Sequence, residues 1–368
     1  MFNFIKTGNL VGLDIGSSAI KAVQFKSTDE QLTLLNLALE EIPLEVQEES
    51  DPDVKNGLLA EIIRKVFKDH NIKSKDVVTS LPGDDAIVRY VKLPFMSDEE
   101  LKNVISYEAE QYIPLAIDQV VLDFDRLGEL DEDGQKKIEV LLVAAKEEIV
   151  DRHLDLLRRA GLNPAVIDVD SFALSNAFIR NYSNVVDETV SLIHVGAKLT
   201  TINILEEGVS HLTRDVQVAG NNFSREIQRE FGMSLGEAEE LKRTQGKVLT
   251  ETEDILQIEV PTREDKSARV GETLNPLLNK LIAEIRRSFS YYESSIRKKP
   301  VSRIILSGGS ARLRNFDKYL AEKLNVPVEL NDPFKVVQIP ERFFDVDFIK
   351  ANAQRFNVGV GLALRLVD

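Results

Sequence analysis

A recurrence at half-chain spacing constrains this sequence more than any other feature. LVGLDIGSSAIKAVQF (10–25) reads as strand, glycine turn, strand, and VSLIHVGAKLTTINIL (190–205) opens the second half with the same pattern. At an offset of 180 residues, Leu13-Asp14-Ile15-Gly16 falls on Ile193-His194-Val195-Gly196. Ala22, Val23 and Phe25 fall near Ile202, Asn203 and Leu205. A duplication of so long a period marks two similar lobes facing a cleft. Two such turns can clamp a phosphate chain from both sides, because glycine lets the main chain come close and successive N–H groups attract anions. A single D-x-G-S-S turn is common. Two hairpins, followed by the strand and glycine turn of RIILSGGSARLRNF (303–316), are much more specific.

Composition narrows the alternatives. At roughly 150 residues per domain, 368 residues suggest two or three domains. There is no cysteine, which removes disulfide, thiolate-metal and cysteine-nucleophile chemistry. The four histidines (His70, His153, His194, His211) have no metal-ligand spacing. A net charge of −15 disfavours nucleic acid and anionic lipid as partners. MFNFIKTGNL lacks the basic start and long apolar run of a signal peptide, and the longest clean apolar run, Val140–Ala145, is far short of about 20 residues. The expectation is a cytosolic protein that meets a membrane only through a partner.

Along the chain, 31–42 fits a third strand, and a helix follows with Leu58, Leu59, Ile62, Ile63, Val66 and Phe67 on one stripe. Strands fit 77–80 and 86–93. Ser97 and Glu100 form a capping box that opens a helix ending near Pro114. Strands at 120–127 and 138–145, a helix at 147–160 closed by Gly161, and a strand at 165–169 complete a β-α-β-β-α-β order over 86–169, the ferredoxin-like order. The second half continues with a third strand at 209–218 and helices at 220–231, 235–244 and about 274–297. The charged segment 246–272 reads as a loop. VGVGLALRLV (358–367) reads as a helical or strand-to-helix close.

These motifs resemble the actin-like ATPase superfamily. The first phosphate motif is similar to Asp14-x-Gly16-Ser17-Ser18-x-x-Lys21, the second to His194-x-Gly196-x-x-x-Thr200-Thr201, and the adenosine motif to Ser307-Gly308-Gly309-Ser310. Within the superfamily, GLDIGSSAIKAV, LPGDDAIVRYVKLP, EAEQYIPL and VIDVDSFAL resemble the PilM family of type IV pilus assembly components. The resemblance implies an α/β actin-like fold of two duplicated lobes around a nucleotide cleft, with an inserted small α/β subdomain of ferredoxin-like order. The divisions expected are a first lobe at 1–74 and an inserted subdomain at 75–165. A return with a connecting helix follows at 166–189, a second lobe at 190–355 and a second connecting helix at 356–368.

It also implies ATP and Mg²⁺ as cofactors. Asp14 would hold Mg²⁺ through water, Gly16, Ser17 and Ser18 would donate to the terminal phosphates, and Lys21 would supply charge. Gly196, Thr200 and Thr201 would act in mirror image. Gly308, Gly309 and Ser310 would let base and α-phosphate lie against a helix N-terminus. Glu239 and Lys242, three apart on one helix face, would meet ribose and base. His194 stands where the superfamily usually has an Asp that orients metal-bound water, so nucleotide binding is expected, with hydrolysis weak or absent. Plainer readings stand beside these: a turn-forming Asp14, an exposed Lys21, β-forming threonines, a solvated Glu239–Lys242 pair, Asp170 as an N-cap, and a His194 that only packs on its strand end.

For partners, the resemblance implies the N-terminal cytoplasmic peptide of a PilN-like inner-membrane protein, gripped between the first lobe and the insertion. Tyr107, Tyr112, Ile113, Pro114 and Leu115 are candidates to line that groove, and ordinary core packing accounts for them equally well. Other pilus platform proteins and the pilus motor ATPases are further partners on this reading, self-association stays open, and nucleic acid is not expected. The role implied is pilus biogenesis and twitching motility at the inner-membrane platform. The alternatives are a filament-forming cytoskeletal or division ATPase like FtsA or MreB, a small-molecule kinase on the same scaffold, and a nucleotide-free scaffold.

Overall fold

The computed structural model describes residues 10–27, 31–132, 134–183, 188–250, 266–296 and 299–365. Strands β1 (Val11–Ile15), β2 (Ala19–Ser27) and β3 (Leu32–Glu41) form an antiparallel meander. After helices α1 (Leu44–Gln47) and α2 (Pro52–Asp69), strand β4 (Asp76–Leu81) lies parallel to β1. Helix α2 starts where the Asp51 carboxylate accepts the N–H groups of Asp53 and Val54, and it buries Leu59, Ile63, Val66 and Phe67.

The chain then runs through β5 (Ala86–Pro94), α3 (Asp98–Ala109), β6 (Val120–Glu132), β7 (Gln135–Lys146), α4 (Glu147–Ala160), β8 (Asn163–Val169) and α5 (Asp170–Asn181). The β-α-β-β-α-β order is the expected one, but its members divide between two bodies. Only β5, β7 and β6 form the small sheet, in that order, while β8 pairs with β4 in the first lobe. Helix α4 follows β8 because Leu156, Leu157 and Ala160 pack into the core under α2. The small unit is therefore β-α-β-β, with Leu101, Ile105 and Ala109 of α3 covering Ile138, Val140 and Leu142 of β7.

The second lobe repeats the first. Strands β9 (Thr189–Val195), β10 (Thr200–Glu206) and β11 (Val209–Val216) form a meander, followed by α6 (Gly220–Phe231), α7 (Leu235–Gln245) and α8 (Lys266–Tyr291). Next come β12 (Arg303–Ser307), α9 (Phe316–Leu324), β13 (Val328–Leu330), β14 (Val337–Gln338), α10 (Val346–Asn352) and α11 (Asn357–Leu364). The first sheet runs β14-β3-β2-β1-β4-β8 and the second β11-β10-β9-β12-β13, so a meander joined to two parallel strands occurs twice. The expected loop over 246–272 is partly helix: α8 starts at Lys266, and 251–265 lie outside the described residues. Pro276 hides the first turns of α8 from sequence reading, yet Val270 and Leu274 already lie in the second-lobe core.

Helices α5 and α11 lie between the sheets. One apolar cluster joins Leu10 and Val78 of the first lobe, Leu174 and Phe178 of α5, Leu192 and Ile305 of the second lobe, and Val358 and Leu362 of α11. Every residue of α11 is buried, as a helix apolar on all sides after its first residue, Asn357, requires. Glycine permits this approach. A Cβ at Gly361 would sit 1.7 Å from the Ala173 carbonyl oxygen of α5, and one at Gly12 of β1 would sit 2.3 Å from the Gly359 carbonyl oxygen.

Candidate functional site

The two meanders present their first turns to one cleft of about 500 Å³. The turns close alike: the Gly16 N–H donates to the Ala19 carbonyl at 3.1 Å, and the Gly196 N–H to the Leu199 carbonyl at 2.9 Å. Strand register repeats as well. Asp14 lies opposite Lys21, and His194 opposite Thr201. Gly16, Ser17, Ser18, Lys21, Gly196 and Thr201 line the cleft with Asp14 and His194.

The paired positions differ in chemistry. In the first lobe the buried Asp14 carboxylate holds the Lys21 ammonium at 3.0 Å. In the second, His194 Nδ1 lies 2.9 Å from Ser307 Oγ, and burial together with the Lys21 charge pushes its pKa down to about 3. His194 is therefore neutral, and no carboxylate stands at that position. Thr201 Oγ1 donates to Asp215 Oδ1 at 2.6 Å. Thr200 does not reach the cleft: it is buried, and its hydroxyl donates to the Val218 carbonyl at 2.7 Å.

Asp170 enters the cleft at the first turn of α5. Its Oδ1 accepts the Ser80 hydroxyl at 2.5 Å, and burial, then the nearby Asp14 charge, raise its pKa from 3.8 to about 7. From sequence, Asp170 opens a connecting helix and reads plainly as its N-cap. Asp170 is the first helical residue rather than the cap, and its carboxyl faces Asp14.

At the other end, Gly308 takes φ +94, and a Cβ there would lie 2.4 Å from the Val195 carbonyl oxygen. Gly308 thus packs behind the second hairpin, while Gly309 and Ser310 line the cleft. The helix expected after this turn is one short 3₁₀ turn over Gly309–Arg312, with α9 starting only at Phe316. A Cβ on Gly220 would come within 2.7 Å of Ser310 Oγ, which brings the start of α6 against the same turn.

Glu239 and Lys242 do meet here, but not as a solvated pair. The Lys242 ammonium is buried and donates to Glu239 Oε2 at 2.6 Å, Ser224 Oγ at 2.8 Å and the Gly220 carbonyl at 3.1 Å. Three arginines that sequence reading missed surround this end. Arg355 donates to Glu41 at 2.6 Å, Arg243 lies 3.9 Å from Glu41, and Arg312 donates to Asn352 at 3.0 Å. Burial and the charges of Arg355 and Arg243 hold Arg312 below the usual guanidinium range. In the sequence they read as isolated surface charges. Their convergence depends on packing between four distant segments.

The partner candidates separate. Tyr107 is 71% exposed and Pro114 is exposed, whereas Ile113 is buried in the core of the small unit, with Tyr112 and Leu115 packed against it. Leu115 also lines a second groove of about 330 Å³ with Asp118, Gln119, Val120, Lys146, Glu147 and Glu148, where the small unit meets the start of α4.

Comparison with known proteins agrees with this architecture. A solved structure described as the PilM-PilN type IV pilus biogenesis complex is 28% identical and superposes with a TM-score of 0.83, covering 98% of this chain and 99% of that one. MreB5 of Spiroplasma citri bound to AMPPNP is 12% identical, with a TM-score of 0.51 over 96% of this chain and 94% of its own, a likeness of fold alone. The cell division protein FtsA of Staphylococcus epidermidis is 20% identical, covering 90% of this chain and 76% of its own. The fold is actin-like, and the family model for the type IV pilus assembly protein PilM matches residues 12–367: the chain belongs to that family of pilus assembly components.

Proposed function

We propose that this pilus assembly component binds ATP with Mg²⁺ in its cleft and a PilN-like membrane-protein tail at the groove beside α4. The observation that carries the nucleotide reading is the pair of identically closed glycine turns facing one cleft. The remaining amides of those turns and the hydroxyls of Ser17 and Ser18 form a donor set suited to phosphate oxygens, while the Thr201 hydroxyl is committed to Asp215. Among the described residues no group of three His, Asp or Glu side chains gathers to hold a metal. A cation bound beside Asp14 would therefore take most of its oxygens from phosphate and water, as Mg²⁺ does; bound there, it would neutralise phosphate charge. The guanidinium planes of Arg243 and Arg312 suit a flat purine, with Gly309 allowing close approach. Glu239, held by Lys242 and Ser224, would accept from ribose hydroxyls on this reading.

Hydrolysis on this reading is slow. His194 supplies no charge where a carboxylate would orient water. Asp170, with a pKa near neutrality, is the group suited to take a proton.

The second groove combines Leu115 and Val120 with Asp118, Glu147 and Glu148, which suits a short peptide of apolar and basic residues. On this reading attachment to the inner membrane runs through that tail; no helix among the described residues is long and apolar enough to cross a membrane.

Calorimetric titration tests both halves. Wild type should bind ATP-Mg²⁺, and Lys21→Ala or Asp14→Ala should weaken it about tenfold or more, the effect of removing a charged hydrogen-bond partner. Leu115→Asp should weaken tail-peptide binding while leaving ATP affinity unchanged. Unchanged ATP affinity in Lys21→Ala would count against the cleft assignment.

A further inference from the structure

The turn joining β4 to β5 touches the second phosphate hairpin across the cleft. It is closed by the Asp85 N–H donating to the Pro82 carbonyl at 3.0 Å, and Pro82 and Gly83 line the cleft. Gly83 is pressed so close to Asp215 that a Cβ there would sit 1.8 Å from Asp215 Oδ2. One residue further on, Asp84 Oδ2 takes the Lys198 ammonium at 2.5 Å. Lys198 belongs to the Gly196-Ala197-Lys198-Leu199 turn and lines the cleft.

The three lysines of the cleft are committed differently. Lys21 is nearly enclosed beside Asp14. Lys242 is buried among three acceptors. Lys198 keeps 57% of its side chain exposed, on a single carboxylate that is itself 24% exposed. An exposed ion pair of this kind contributes little and is readily exchanged. A terminal phosphate offers three strong acceptor oxygens and more than one negative charge, so it outcompetes one aspartate for a lysine within reach.

Taking the nucleotide reading above as its basis, we propose that Lys198 selects triphosphates. Paired with Asp84 in this structure, its ammonium transfers to the terminal phosphate of a bound nucleoside triphosphate, and a diphosphate leaves it on Asp84. The exchange leaves Asp84 facing Asp85 and Asp215, two carboxyls that burial and the Asp84 charge already hold above the ordinary range. Asp84 thus opposes triphosphate binding, both as competitor and through this repulsion.

The test is calorimetric titration of the full chain with ATP-Mg²⁺ and ADP-Mg²⁺. Lys198→Ala should weaken ATP binding about tenfold and ADP binding less than about twofold, as loss of one charged contact predicts. Asp84→Asn should tighten ATP binding and leave ADP unchanged. Equal losses for both nucleotides in Lys198→Ala, or no loss, would overturn the inference while leaving the nucleotide reading intact. A wild-type chain that binds neither nucleotide would overturn both.

Discussion

Asp170 carries the sharpest residue-scale consequences. Its carboxyl is held near pH 7, against an ordinary 3.8, by burial and by Asp14. Between those values the folded protein keeps a proton that the unfolded chain has released, so this group's contribution to stability falls as pH rises through the interval. Asp170→Asn keeps an acceptor for Ser80 and removes that penalty. The variant should melt above wild type at pH 8, by about 1 kcal/mol or more, and the gap should shrink at pH 5. Residual ATP hydrolysis in wild type should rise with pH through about 7, as a base that must be ionised requires, and vanish in the variant. His194 runs the other way: a buried neutral imidazole opposes protonation, so it adds stability above about 6.5 that is lost as pH falls toward 3. Gly16, Gly196 and Lys21 were readable in the sequence because turn chemistry is local. Arg243, Arg312, Arg355 and Glu41 were not, because they meet only through tertiary packing.

At the scale of elements, the glycine contacts of α11 fix how the lobes meet. Gly361→Ala would drive a methyl into the carbonyl of Ala173 in α5, a backbone group that cannot rotate away as a side chain could. A cost of about 3 kcal/mol is expected, read as a melting temperature several degrees lower. VGVGLALRLV showed an apolar, glycine-bearing segment, but not that its glycines face another helix. The order β-α-β-β-α-β was equally legible, and its division between two bodies was not. Nothing in α4 or β8 states which sheet they join; that follows from Leu156 and Leu157 fitting beneath α2.

At the scale of the whole molecule, the small unit, the second lobe and the cleft share one hydrogen-bond chain. Tyr90 of β5 meets Ser210 at 2.6 Å, Ser210 donates to Asn203 at 2.5 Å, and Asn203 donates to the Ser171 carbonyl at 3.0 Å, one residue from Asp170. A change in the cleft therefore has a physical route to the unit that carries Leu115. The tail peptide should bind with different affinity in the presence and absence of ATP, and equal affinities would remove that coupling. On the proposed reading both lobes close on one triphosphate. A crystal structure of the full chain grown with ATP and Mg²⁺ tests it most directly. The triphosphate should lie between the turns at Gly16 and Gly196, with the base beside Arg243 and Arg312. A nucleotide bound elsewhere, or none at saturating concentration, would contradict it.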